Sequence, residues 1–213
     1  MTSFDRLPEG LPVPVDDGAA DHLLGSSAPE VGLASTTGAV LRLDRVPGRT
    51  VLFGYPRTGT PGQPPPDGWD AIPGARGCTP QACGYRDSYA DFAELSAQVL
   101  GISSQSAAEQ HEAAQAAQAA QAYPLLSDSD AAMIRAWKLP TFTVDGCILL
   151  RRITIFLLDG VVDGVIYPVF PPDRSAEAAL AWLRDRAATS TPTNPRFVPR
   201  RGLPHPIPPR LVR

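Results

Sequence analysis

Gly77-Cys78-Thr79-Pro80-Gln81-Ala82-Cys83-Gly84-Tyr85-Arg86-Asp87 has the pattern of a helix start with a cysteine at its tip. Pro80 lacks a backbone donor and has a fixed φ, which suits the first turn of a helix. Cys78 then stands at or beside the N-cap. Free backbone N–H groups and the helix dipole favour a thiolate there. Cys83 follows at i+5. In an ideal helix that separation is about 7.5 Å of rise and ~140° of rotation. The Cα atoms would sit beyond the ~7 Å limit for a disulfide, with side chains pointing apart. A Cys78–Cys83 bond therefore requires the first turn to unwind. A C-x-x-C exchange motif, which sets both sulfurs on one face, is not what this spacing gives. Oxidation of Cys78 first, followed by helix opening and attack by Cys83, fits it better. The plain alternative is a pair of buried cysteines acting as small hydrophobes.

Outward from this segment, strand and helix signals alternate. Residues 79–97 keep helical spacing, with Ala82, Tyr85, Tyr89, Phe92, Ala93 and Leu95 on or near one stripe. Upstream, 50–55 is a continuous apolar run, as expected of a central strand buried on both faces, and Pro56 ends it. Residues 57–77 are rich in Pro and Gly and read as a long loop. Residues 31–35 and 39–43 flank a Thr-Thr-Gly turn and read as a hairpin. Downstream, 99–103 reads as a second buried strand and 106–122 as a helix containing an Ala-Ala-Gln repeat. A short helix is expected at 130–137. Residues 147–158 and 161–167 flank Asp159-Gly160 and read as an antiparallel pair. A last amphipathic helix at 175–186 turns Ala179, Leu180, Trp182 and Leu183 inward. The order β-β-β-α-β-α-α-β-β-α predicts an α/β domain, a mixed sheet with helices on both faces.

Composition narrows the function classes. The chain has 213 residues, 43% hydrophobic and 19% charged, with a net charge of −3. That balance disfavours a general nucleic-acid binder. Arg151 and Arg152 interrupt the best apolar run, so no membrane span is expected. The N-terminus has no charged head followed by an apolar stretch, and a cytoplasmic location is the expectation. Only 3 cysteines exclude a disulfide-scaffolded miniprotein. Zinc would need more ligands at compatible spacing than these cysteines and His22, His111 and His205 offer. Residues 1–24 read as an N-terminal arm and 25–187 as the folded domain. Residues 188–213, rich in proline and arginine and without an acid, read as a disordered tail.

At the cysteine helix the sequence resembles the Q-type peroxiredoxins, the bacterioferritin-comigratory-protein group. Cys78-Thr79-Pro80-Gln81-Ala82-Cys83-Gly84-Tyr85-Arg86-Asp87 is similar to that family's C-T-x-[EQ]-x-C-x-[FL]-R-D. The family's P-x-x-x-T-P-G is matched by Pro56-Arg57-Thr58-Gly59-Thr60-Pro61-Gly62. In the family that motif directly precedes the cysteine. Here residues 63–77 intervene as an inserted loop. Ala28-Pro29-Glu30-Val31-Gly32-Leu33, Leu100-Gly101-Ile102-Ser103, Tyr123-Pro124-Leu125-Leu126-Ser127-Asp128 and Arg152-Ile153-Thr154 resemble further family segments in the same order.

The resemblance implies a thioredoxin-like fold and reduction of hydrogen peroxide and organic hydroperoxides. Carried over by position, Cys78 would be the peroxidatic cysteine and Cys83 the resolving one. Thr60 would exchange hydrogen bonds with thiolate and peroxide, Pro56 would shield the site from water, and Arg152 would hold the thiolate and polarise the peroxide. Thioredoxin or glutaredoxin would reduce the resulting disulfide. No metal or organic cofactor is implied, and a monomer or weak dimer is expected. Bland alternatives stand beside these roles. Arg151 competes with Arg152 for the site, Thr60 suits a loop hydroxyl capping its own turn, and Cys147 reads as an incidental thiol. A peroxide-responsive redox switch without efficient turnover is the alternative function.

Overall fold

The computed structural model describes residues 7–59, 63–116 and 122–189. Nine strands and five helices alternate along them. β1 (Gly32–Ser35) and β2 (Val40–Arg42) form the first hairpin, followed by β3 (Arg49–Gly54). Helices α1 (Cys78–Asp87) and α2 (Tyr89–Glu94) precede β4 (Ala97–Ser103). Then come α3 (Ala107–Ala116), β5 (Leu125–Ser127) and α4 (Ala132–Trp137). β6 (Thr141–Val144) pairs with β7 (Cys147–Leu150) as a separate two-stranded hairpin. β8 (Ile153–Leu158), β9 (Val161–Ile166) and α5 (Ser175–Thr189) complete the domain.

The main sheet runs β2-β1-β5-β4-β3-β8-β9. β3 is parallel to β4 and antiparallel to β8, so the sheet is mixed, as expected. Strand alternation divides the core into two layers. Val51 and Phe53 of β3, Tyr55 just after it, Val99 of β4 and Phe156 of β8 face one layer, where they meet Tyr85, Phe92, Ala179, Leu180 and Leu183 of α1, α2 and α5. Leu52, Leu100, Ile102, Ile155 and Leu157 face the other, against Met133, Ile134 and Trp137 of α4. Both faces are thus covered, and the thioredoxin-like α/β architecture is the observed one.

Three details differ from the expected elements. The helix read at 79–97 is two helices, with Ser88 at the junction and β4 already begun at Ala97. The reversal comes at Ser96, which takes a positive φ of 54°. The strand read at 147–158 is split at Arg151-Arg152. Before the break the chain pairs with β6, and after it with β3 and β9. There the Arg151 amide donates to the Pro140 carbonyl at 2.8 Å, which holds the crossing between the two sheets. β5 and β6 had no strand signal, being short and bounded by Pro124 and Pro140. Of the 106–122 helix, α3 accounts for 107–116, and residues 117–121 lie outside the described set.

The first described residues are tied to the body. Leu23 is fully buried in the α4-side core, and the Tyr167 hydroxyl donates to Asp17 Oδ1 at 2.9 Å. At the other end α5 runs to Thr189, and residues 190–213 of the expected tail lie outside the described set.

Asp128 shows how a short segment is pinned. Its fully buried carboxylate accepts the amides of Met133 (2.9 Å) and Ile134 (2.8 Å), satisfying two donors at the start of α4. Burial raises its pKa above the usual carboxylate value, while these two bonds pull it down. The folded form therefore binds its proton more tightly than the unfolded chain, and this residue's contribution weakens as pH rises through that shifted range. Replacing Asp128 by alanine leaves both amides unpaired, a loss of about 2 kcal/mol. For a domain of this size the expected fall in Tm is about 4–8 °C, read by thermal denaturation at neutral pH.

Candidate active site

Cys78 is the first residue of α1, and its position rests on Gly77. Gly77 has φ 99°. A Cβ on it would lie 2.4 Å from Pro172 Cγ and 2.6 Å from Leu7 Cδ2. Both the backbone and the available space demand glycine. The Gly77 carbonyl accepts the Gln81 amide at 3.1 Å, closing the first helical turn. Pro80 falls within that turn, where its missing N–H leaves nothing unpaired. Phe53 stacks on Tyr85 with ring centroids 4.1 Å apart and 9° between planes, and Tyr85 stacks in turn on Phe92. This ladder seats α1 on the sheet.

Arg152 reaches Cys78 from the break between β7 and β8. Its Nη2 stands 3.1 Å from Cys78 Sγ, and the residue is 2% exposed. Its Nε donates to the Gly74 carbonyl and its Nη2 to the carbonyls of Ala75 and Arg76, each at 3.0 Å. Nη1 donates to Gln81 Oε1. A buried guanidinium without partners would be costly, and here carbonyls, an amide oxygen and a sulfur surround it. Arg151 points elsewhere, with its Nε on the Thr141 carbonyl.

Gln81, Tyr85, Thr154 and Ser175 form a buried polar chain behind Arg152. Gln81 Nε2 donates to Ser175 Oγ at 3.2 Å. The Tyr85 hydroxyl lies 3.1 Å from Ser175 Oγ and 3.2 Å from Thr154 Oγ1. Burial pushes the Tyr85 hydroxyl up to about 12, so it stays protonated as a donor. Gln81, Tyr85 and Thr154 lie within the quoted motifs, but the sequence pattern assigns none of these four residues a role in the site. A signal was present, however. Cys78, Gln81 and Tyr85 at i, i+3 and i+7 form the buried stripe of α1, and a glutamine in such a stripe must find partners.

On the far side, Tyr55 is buried and donates to Gln110 Oε1 at 2.6 Å. Burial holds its hydroxyl well above the usual range, and the nearby Cys78 charge adds to this. Pro56 is buried, with its carbonyl accepting from Ser103 Oγ at 2.9 Å. Gln105 clamps Thr58, accepting its amide at 2.7 Å and donating to its carbonyl at 3.2 Å. Thr60 lies outside the described residues. Ala75 instead stands three residues before Cys78, its carbonyl 3.8 Å from Sγ.

Cys83 lies in the middle of α1 and is half-buried. None of the three cysteines is in a disulfide, and Cys147 is exposed at the start of β7. Among the described residues no three His, Cys, Asp or Glu side chains converge as a metal site, and no helix is long and apolar enough to cross a membrane.

A cysteine at a helix start beneath a buried arginine, on a mixed sheet covered on both faces, defines a thioredoxin-like redox architecture. Comparison with known proteins agrees. The Redoxin family model matches residues 23–180. Peroxiredoxin Q of Oryza sativa subsp. japonica is 30% identical over 75% of this chain and 66% of its own length. Peroxiredoxin Q of Sedum lineare is 30% identical over 75% of this chain and 77% of its own. Both relatives are described as chloroplastic. Among solved structures, peroxidoxin BcpB from Mycobacterium tuberculosis superposes with a TM-score of 0.60 at 31% identity, covering 76% of this chain and 96% of that one. Xylella fastidiosa PrxQ shares the fold, with a TM-score of 0.61 at 22% identity. The chain belongs to the Redoxin family, in its peroxiredoxin Q group.

Proposed function

We propose that this protein is a thiol-dependent peroxidase acting on hydrogen peroxide and organic hydroperoxides, with Cys78 as its nucleophile. The observation that carries this is the 3.1 Å approach of Arg152 Nη2 to Cys78 Sγ at the start of α1. The Cys78 thiolate attacks the terminal oxygen of the peroxide. An S–O bond forms and the O–O bond breaks. The electron pair leaves with hydroxide or alkoxide, which takes a proton from water. Charge moves from sulfur towards the leaving oxygen, and a fixed cation beside that path lowers the barrier. The carbonyls of Gly74, Ala75 and Arg76 fix the guanidinium before peroxide arrives, so little reorganisation is required. Pro56 and Thr60 take the shielding and hydrogen-bonding roles that the family pattern assigns to their positions.

Sulfur leaves this step as a sulfenic acid. The Cys83 thiol then attacks it, forming a Cys78–Cys83 disulfide and releasing water. An external dithiol, of the thioredoxin or glutaredoxin kind, exchanges with the disulfide and restores both thiols. The direct test is peroxide consumption by the reduced protein, with and without a thioredoxin system, beside the Cys78→Ser variant. The expected outcome is consumption that turns over only with the reductant and is abolished in Cys78→Ser. Peroxide loss at the original rate in that variant would contradict the assignment.

A further inference from the structure

We propose that Ser175, the first residue of α5, is a positioning residue for the peroxide step and acts through Gln81 on Arg152; this deepens the peroxidase reading and rests on it. The guanidinium of Arg152 is held on two of its three nitrogens by the loop before α1. Nε takes the Gly74 carbonyl, and Nη2 takes those of Ala75 and Arg76 while meeting Cys78 Sγ at 3.1 Å. Nη1 is the nitrogen these carbonyls leave, and Gln81 Oε1 accepts from it. That contact fixes how the planar fork is turned in its pocket, and so where Nη2 points.

An amide side chain has an acceptor at one end and donors at the other, whereas a guanidinium only donates. With the oxygen of Gln81 turned to Arg152, its Nε2 must find an acceptor on the opposite side. Gln81 is fully buried, so bulk water does not supply one. Ser175 Oγ does, at 3.2 Å. Without that oxygen a buried donor is left unpaired, and Gln81 gains by swinging away from Arg152 to pair it. Ser175 is fixed in turn. It is buried, and the Tyr85 hydroxyl lies 3.1 Å from its Oγ. Tyr85 stands where the family pattern has Phe or Leu, so this hydroxyl is an addition in the present chain. Pro172, three residues before Ser175, packs at Gly77. The entry to α5 thus meets α1 at its tip and again at Gln81, and it carries the anchor for the cation beside the nucleophile.

The test measures the second-order rate constant of the full chain with hydrogen peroxide. Ser175→Ala should lose about tenfold, the size usual when the partner that orients a site side chain is removed. Ser175→Thr keeps the oxygen and should recover the rate to within about twofold of the unaltered protein. Tyr85→Phe keeps the ring stacked on Phe53 and should lose about threefold. Placed in Arg152→Met, Ser175→Ala should cost less than about twofold further, because the group it positions is gone. A role confined to stability would lower Tm and leave the rate of the folded protein alone. An unchanged rate in Ser175→Ala, equal losses in Ser175→Ala and Ser175→Thr, or a loss that persists in full in Arg152→Met overturns the assignment and leaves the peroxidase standing. Failure of the unaltered protein to consume peroxide overturns the peroxidase reading itself.

Discussion

Replacing Arg152 by methionine slows the reaction of Cys78 with hydrogen peroxide by about 10²–10³-fold, the cost of losing one fixed donor aimed at developing charge. Two features of the site set this effect. First, the guanidinium is the cation that touches Sγ. Second, it is buried, so its field is poorly screened by water. Methionine is of similar length but gives back none of the donors. The substitution also leaves the carbonyls of Gly74, Ala75 and Arg76 without their partner, so Tm falls as well. Two further measurements separate chemistry from stability. Arg152→Lys keeps the charge but not the fork, and should fall between the two in rate. Added guanidinium ion should restore part of the rate of Arg152→Met without restoring its Tm. A rate constant unchanged in Arg152→Met would remove the arginine from the mechanism.

Oxidation should open the first part of α1. The helix is continuous from Cys78 to Asp87 with neither cysteine in a disulfide, so a bond between Cys78 and Cys83 cannot form in place. Opening breaks the hydrogen bond from the Gln81 amide to the Gly77 carbonyl, the Gln81 bridge between Arg152 and Ser175, and the 2.6 Å hydrogen bond from the Tyr123 hydroxyl to the Ala82 carbonyl. Tyr85, stacked on Phe53, marks the point where opening stops. Amides of residues 81–84 should lose about 10²-fold or more of their hydrogen-exchange protection in the disulfide form, while those of β3 and β4 keep theirs. Cys83→Ser should consume about one equivalent of peroxide, fail to turn over with thioredoxin, and keep α1 protected. Normal cycling by that variant would assign resolution to another thiol, with Cys147 the next candidate.

The cysteine helix and every strand of the main sheet except β5 are legible in the sequence because their signals are local. The apolar run around Val51–Phe53 and the Cys78-Thr79-Pro80 helix start each state their own structure. Gly77 was legible only as a flank, since its need for a positive φ and the contacts of Pro172 and Leu7 come from distant parts of the chain. The split at Arg151-Arg152 was hidden for the same reason. An arginine inside an apolar run looks like an interruption until its partners, the carbonyls of Gly74, Ala75 and Arg76, are folded against it. Residues 63–77 read as a loop because proline and glycine report only the absence of regular structure. What the loop does depends on Trp69 finding Leu149 and Phe142, which no periodicity announces.

The measurement closest to the central claim is the location of the first oxidation product. Reduced Cys83→Ser protein is given one equivalent of hydrogen peroxide, treated with a sulfenic-acid-specific alkylating reagent, digested and analysed by mass spectrometry. The adduct is expected on Cys78, with Cys147 unlabelled, and in the unaltered protein a Cys78–Cys83 disulfide in its place. An adduct on Cys147 with Cys78 still a thiol would contradict it.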